Sequence, residues 1–334
     1  MRALTTRLHG DSLQGFRRHF YASEHSTAGF LPQSLAARLT ARFGGIEPYL
    51  DVFRTVFPEG AGYRHDQLEL RDELAPEQKA VEPTNADTHL AFMGGGLRAC
   101  VTDDARRQAP VYFVDFDGMY RNVARKRMAR VVGFNHSEEV ARSTIEVPVS
   151  SHPIDAVNLR ESRLGLFDQV GELIRANGVT KGRVRLELAT SEQFASLTVN
   201  EYETLLMRHD LAEVLRNPMR FAAERVRHAW NDPRAVPAKA RGYAKYDLVQ
   251  VMNQLLDALG LHSSRIERLI ARSLGAPASR FLRMRRSVDL MVSDARLPGR
   301  GELVQGVYQS PILVQWRPAK NETRTIDVAL TRFE

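Results

Sequence analysis

The apolar positions of this chain change period several times. Leu35, Leu39 and Phe43, then Leu50, Phe53 and Val56, recur at helical spacing, which predicts helices within 33–58. Leu166, Val170 and Ile174 form one apolar stripe within 164–176, and Gly178 supplies the stop signal of a helix there. Strict alternation over 183–188 instead predicts a strand, with Val184, Leu186 and Leu188 inward and Arg185 and Glu187 on the other face. Short apolar runs predict strands near 89–93, at 111–117 and at 144–149. Helical patterns dominate from Val199 to about Val288, interrupted by the prolines of 231–240. The tail, 302–333, alternates as strands around the turn-like Pro318–Asn321. Residues 59–87, acidic and carrying Pro76 and Pro83, read as an exposed connection. The sum is a mixed α/β protein, with helices first, then a mixed α/β core, then a mostly helical region and terminal strands.

Composition narrows the class. Hydrophobic residues make up 43% and charged residues 26% of 334 positions, which suits one or two globular domains. Cys100 is the single cysteine, so the chain has no internal disulfide and no thiolate zinc site, which points to a cytoplasmic, reducing setting. No apolar run reaches the roughly 18 residues of a membrane span. Arg2, Arg7, Arg17 and Arg18 against Asp11 give the first 23 residues some flavour of a transit peptide, although the expectation is that they are retained.

The charge of +7 is unevenly placed. Residues 216–300 hold 17 Lys/Arg against 7 Asp/Glu, whereas 66–87 hold 7 acids against Arg71 and Lys79. A half so basic predicts a polyanionic partner.

Candidate chemistry centres on Val111-Tyr-Phe-Val-Asp115-Phe-Asp117-Gly118. Alternation along a strand would put Asp115 and Asp117 on one face, a pair of hard oxygen donors suited to Mg²⁺. Upstream, Gly94, Gly95 and Gly96 follow a short apolar run and would let backbone N–H groups approach a phosphate. Glu187 adds a strand acid, and Arg225, Lys245 and Asp247 lie on later helices. The ten histidines show no ligand spacing, so each reads as a surface or cap residue.

In this order the pieces resemble the minimal nucleotidyltransferases of the AbiEii type, toxins of bacterial toxin–antitoxin and abortive-infection (antiviral defence) systems. The likeness covers roughly 85–260, with 20 positions from Gly95 to Asp115 and 22 from Arg225 to Asp247. The chain departs from the family pattern at Met93, at Val111–Phe113, at Arg225 and at Gln250. The resemblance makes 86–200 a nucleotidyltransferase-like core, and the pattern along the chain sets off 1–85 as an N-terminal helical region and 201–334 as a basic helical region with terminal strands. It implies transfer of a nucleotidyl group from an NTP, with Mg²⁺, onto RNA such as tRNA, or onto protein, and an antitoxin or other protein partner. Asp115 and Asp117 would hold the metals, Glu187 would assist catalysis, and Gly94–Gly96, Arg225, Lys245 and Asp247 would hold the nucleotide.

Two non-enzymatic readings compete. Residues 264–286 have the look of a helix-turn-helix, with Gly275 at the turn, Ser279 as a cap, and Arg280, Arg283, Arg285 and Arg286 toward a DNA groove. Arg121, Arg125, Lys126, Arg127 and Arg130, with Tyr120 and Phe134, combine charge and rings as an RNA-coating subunit of a defence ribonucleoprotein would, although a solvated basic helix is the blander reading of this stretch. RNA is the preferred nucleic acid throughout. Phe113–Gly118 also echoes the first motif of haloacid-dehalogenase-like phosphatases, but their later paired-aspartate motif is not found.

Overall fold

The computed structural model describes residues 1–9, 13–120, 123–216, 221 and 285–334. Along the chain it runs α1 (Arg2–His9), β1 (Arg18–Ser23), β2 (Ala28–Leu31), α2 (Gln33–Phe43), α3 (Glu47–Val56), the single turn α4 (Pro76–Lys79) and α5 (Ala86–Gly94). Then come β3 (Cys100–Asp104), β4 (Tyr112–Asp115), β5 (Met119–Tyr120), β6 (Val123–Ala124), β7 (Ala129–Phe134), β8 (Ser137–Pro148) and β9 (Asp155–Asn158). They are followed by α6 (Leu166–Ala176), β10 (Gly182–Leu188), β11 (Ala195–Asn200), α7 (Leu211–Arg216), β12 (Ser287–Ser293), β13 (Glu302–Val304), β14 (Ser310–Gln315) and β15 (Thr323–Phe333). This is a mixed α/β fold.

The chain divides into two compact units. The first comprises Met1–Arg38, Gly96–Tyr202 and Met284–Glu334; the second holds Leu39–Gly95 and, among the described residues, 203–216 and 221. Each unit draws on separated stretches, so the division differs from the consecutive segments 1–85, 86–200 and 201–334. Pairing across long sequence distances is the reason: β10 lies between β12 and β15, more than 100 positions downstream.

In the first unit an antiparallel five-stranded sheet runs β13-β12-β10-β15-β8, and a second antiparallel sheet runs β11-β14-β9. Alternation in β10 buries Val184, Leu186 and Leu188, which join Val328 and Leu330 of β15 and Leu290 and Val292 of β12. The stripe of α6, Leu166, Val170 and Ile174, covers that face, and Leu197, Val199 and Leu313 of the second sheet complete the core. Fully burying each such side chain stabilises by about 1.5–3 kcal/mol. Gly178 ends α6 with φ +57°, a conformation that favours glycine. The outer face of β10, Arg183, Arg185 and Glu187, remains polar. A third sheet, β3-β1-β7, packs Phe20, Cys100 and Phe134 against Met291 and Phe333.

Three expectations change. Residues 89–93 are helical, within α5, because the helix buries every residue from Thr88 to Gly94 and no strand pairs with them among the described residues. The basic stretch after Asp117 is a short β5–β6 hairpin, an extended run and β7, since β7 pairs with β1 along its whole length. The helical reading of residues up to Val288 ends earlier, because Arg285 bridges Leu197 and β12 follows at once.

Candidate functional site

Asp115 ends β4, and Asp117 lies in the turn beyond it rather than on the same strand face. The Asp115 carboxylate accepts the Asp117 backbone N–H at 3.0 Å, which fixes this turn. Extended chain then returns along the turn: Arg125 N–H donates to the Gly118 carbonyl at 2.9 Å. That return brings two guanidiniums onto the two acids. Arg127 donates Nε to Asp115 Oδ2 at 2.7 Å and Nη2 to Oδ1 at 2.9 Å, a bidentate pair. Arg125 pairs with Asp117, Arg127 also approaches Asp117 at 3.5 Å, and Thr27 donates to Asp117 at 3.4 Å. His25 closes the knot by accepting the Met128 N–H at 2.7 Å; burial, then the nearby Arg127 charge, lower its pKa and keep the acceptor nitrogen bare.

Arg125 and Arg127, expected to face nucleic acid, thus serve as counterions to Asp115 and Asp117, expected to face magnesium. The repulsion that a metal would relieve is already relieved by two fixed cations. The aspartate pair as it stands does not fit a two-metal site, since both ion pairs would have to break first. Glu187 lies on the outer face of β10, its register partner on β15 being Asp327, in a cleft lined by neither Asp115 nor Asp117. Among the described residues no group of three or more His, Cys, Asp or Glu is arranged to hold a metal ion.

Gly94, Gly95 and Gly96 do the work of a helix terminus. Gly94 is the last residue of α5, Gly95 donates to the Ala91 carbonyl at 2.8 Å, and Gly96 has φ +61°. A Cβ on Gly94 would stand 3.0 Å from the rings of Phe53 and Phe57, so this glycine answers a packing constraint. Arg286 donates to the carbonyls of Leu188, Ala189 and Glu192, and Arg285 pairs in β-fashion with Leu197. These two residues therefore anchor the approach to β12. Arg121, Arg225, Lys245, Asp247, Arg280 and Arg283 lie outside the described residues, as does most of the helix-turn-helix stretch.

Lys126 is exposed and flanked by side chains that solvent should disfavour: Met119 is 62%, Val123 67% and Met128 54% exposed. The ion pairs beneath hold this ribbon in place while its cation and apolar groups project outward.

In the second unit the sequence reading missed a buried polar cluster. His65, fully buried, places Nδ1 2.7 Å from Asp66 and Nε2 2.6 Å from Glu203. Glu203 also receives Arg71 at 2.9 Å, and Arg71 in turn meets Glu73 and Glu82. Burial alone would lower the His65 pKa, but Asp66 and Glu203 outweigh it and raise the pKa to about 10. Asp210 accepts the backbone N–H groups of Arg64 and His65. His65 and His89 are thus core residues rather than surface or cap residues, and Asp66, Glu73 and Glu82 of the acidic 66–87 stretch serve buried cations. The excess of acids over Arg71 and Lys79 in that stretch was the available signal.

No family model matches the chain, and no curated protein matches it. Among solved structures it resembles a YbjQ-like protein of unknown function from Sulfolobus solfataricus P2, at 16% identity over 59% of this chain and 99% of that one, TM-score 0.31. A hypothetical protein from Aeropyrum pernix K1 matches at 14% identity over 57% and 98%, TM-score 0.31. A conserved hypothetical protein from Thermus thermophilus matches at 16% identity over 57% and 99%, TM-score 0.26. At these scores the likeness carries no argument about what the chain does. Among the described residues no helix is long and apolar enough to cross a membrane.

Proposed function

We propose that the protein is a non-enzymatic RNA-binding protein that grips unpaired RNA. The observation that carries this reading is the ribbon of 119–120 and 123–128, where exposed Lys126 stands among exposed Met119, Val123 and Met128 on a base of ion pairs. A cation beside apolar side chains suits single-stranded RNA, whose phosphates and unstacked base faces are both reachable. The 17 Lys/Arg against 7 Asp/Glu of residues 216–300 add the long-range attraction that a polyanion needs. The engagement of Asp115 and Asp117 by arginines disfavours nucleotidyl transfer as the activity.

The test is fluorescence anisotropy with single-stranded and duplex RNA of one sequence across a salt series. Single-stranded RNA is expected to bind more tightly, with affinity falling as salt rises, and the double variant Lys126→Glu, Val123→Asp is expected to weaken binding by about tenfold. Equal binding by this variant, or none by wild type at low salt, overturns the reading. Magnesium-dependent incorporation of label from an α-labelled NTP would overturn its non-enzymatic part.

A further inference from the structure

On the outer face of the five-stranded sheet, Arg183 and Arg185 of β10 share one close carboxylate on β12. Asp289 of β12 is taken by Arg185, at 2.8 Å through Nε and 3.2 Å through Nη2. Arg183, two residues along β10, is left with a 4.0 Å approach to the same carboxylate. Arg98 feels Asp289 and Arg185 electrostatically, and Arg183 feels Arg18. The Nε groups of Arg98 and Arg183 are buried and have no hydrogen-bond partner among the described residues. Burial lowers the pKa of both guanidiniums. An unsatisfied buried donor costs about 1–3 kcal/mol, more when charged, so each of the two calls for an acceptor.

The sheet leaves room for one. Ala329 of β15 sits in register between Arg185 and Arg142 of β8, and its small side chain opens a cleft of about 80 Å³, well above the roughly 10–15 Å³ that one water needs. Arg142 leans on Glu139, and Thr331 faces Arg183 across the strands. Glu139, engaged by Arg142, lines the cleft across Thr331 from Arg183. Glu187 and Asp327, directly opposed, occupy the far end, about 13 Å along the strand from Arg183 and about 7 Å from Arg185 at roughly 3.3 Å per residue. They repel anions there and confine a negative ligand to the arginine end.

We infer that this arginine end is an oxyanion site, taking a phosphate group against Arg183 and Arg185 with Arg98 adding charge from nearby. The planar forks of arginine match phosphate oxygens in pairs, and the confinement limits the ligand to a single phosphate group. A free phosphate and the phosphate of a nucleotide chain present the same chemistry. The site stands on its own geometry and does not rest on the RNA reading.

Calorimetric titration of the full chain with inorganic phosphate, in chloride buffer of matched ionic strength, tests it. Wild type is expected to bind saturably. Arg183→Gln is expected to bind at least about tenfold more weakly. Ala329→Leu, which fills the cleft and removes no charge, is expected to weaken binding similarly and decides the matter if Arg183→Gln fails to fold. Displacement by a 5′-phosphorylated oligoribonucleotide but not by its 5′-hydroxyl form would support a terminal phosphate as ligand; equal displacement by both would support the chain phosphates; displacement by neither would support free phosphate. Absence of saturable binding in wild type, or unchanged binding in folded variants, overturns the site. Phosphate binding by a protein that ignores RNA would uphold this inference while overturning the RNA reading.

Discussion

Replacing His65 by Gln should remove a stabilisation that depends on pH in a defined direction. In the folded protein the imidazole is held charged between Asp66 and Glu203, with its pKa raised from 6.5 to about 10. A raised pKa means that the folded state holds the proton more tightly, so the contribution is fully present below about pH 6.5. It declines as pH rises and is gone above about pH 10. At about 1.36 kcal/mol per pH unit, the contribution is about 5 kcal/mol at pH 6, about 3 kcal/mol at pH 8 and close to zero at pH 10. The gap in unfolding free energy between wild type and His65→Gln should therefore shrink by that amount across this range. It can be read from urea unfolding at each pH, with a brief hydrogen-exchange pulse at one common pH and detection on the peptide spanning Tyr63–Arg71, so that opening of this unit is scored by itself. A gap that stays constant from pH 6 to pH 10 would refute the buried imidazolium.

Two further outcomes separate packing from chemistry. Gly94→Ala should lower stability by about 1–3 kcal/mol in a thermal melt, because the added methyl meets Phe53 and Phe57 at 3.0 Å; unchanged stability would return this glycine to the phosphate-cradle reading. Cys100 is buried and burial pushes its thiol pKa up, so it should resist a thiol reagent in native buffer and react fully in urea, and rapid native modification would contradict its place beside Phe20 and Met291.

In several elements with one face toward water, the amino-acid sequence determined the local structure. The stripe of α6, the alternation of β10 and the helices α2 and α3 were legible because a half-buried element must repeat with its own geometric period. Where both faces are buried the period vanishes: β1 and β11 are buried along nearly their whole lengths, and nothing in their spacing announced a strand. The Asp115-x-Asp117 pair and the arginines after it were visible as residues, but their meaning was not. Whether two carboxylates face a metal or a guanidinium depends on where the chain turns, and Arg125 and Arg127 reach them only because the β5–β6 hairpin reverses the backbone. His65 and Glu203, 138 positions apart, share no local pattern, and neither do Arg98, Arg183 and Asp289. Periodicity records which side of an element meets solvent, whereas charge pairing is a property of distance in space, and only the tertiary structure sets that distance.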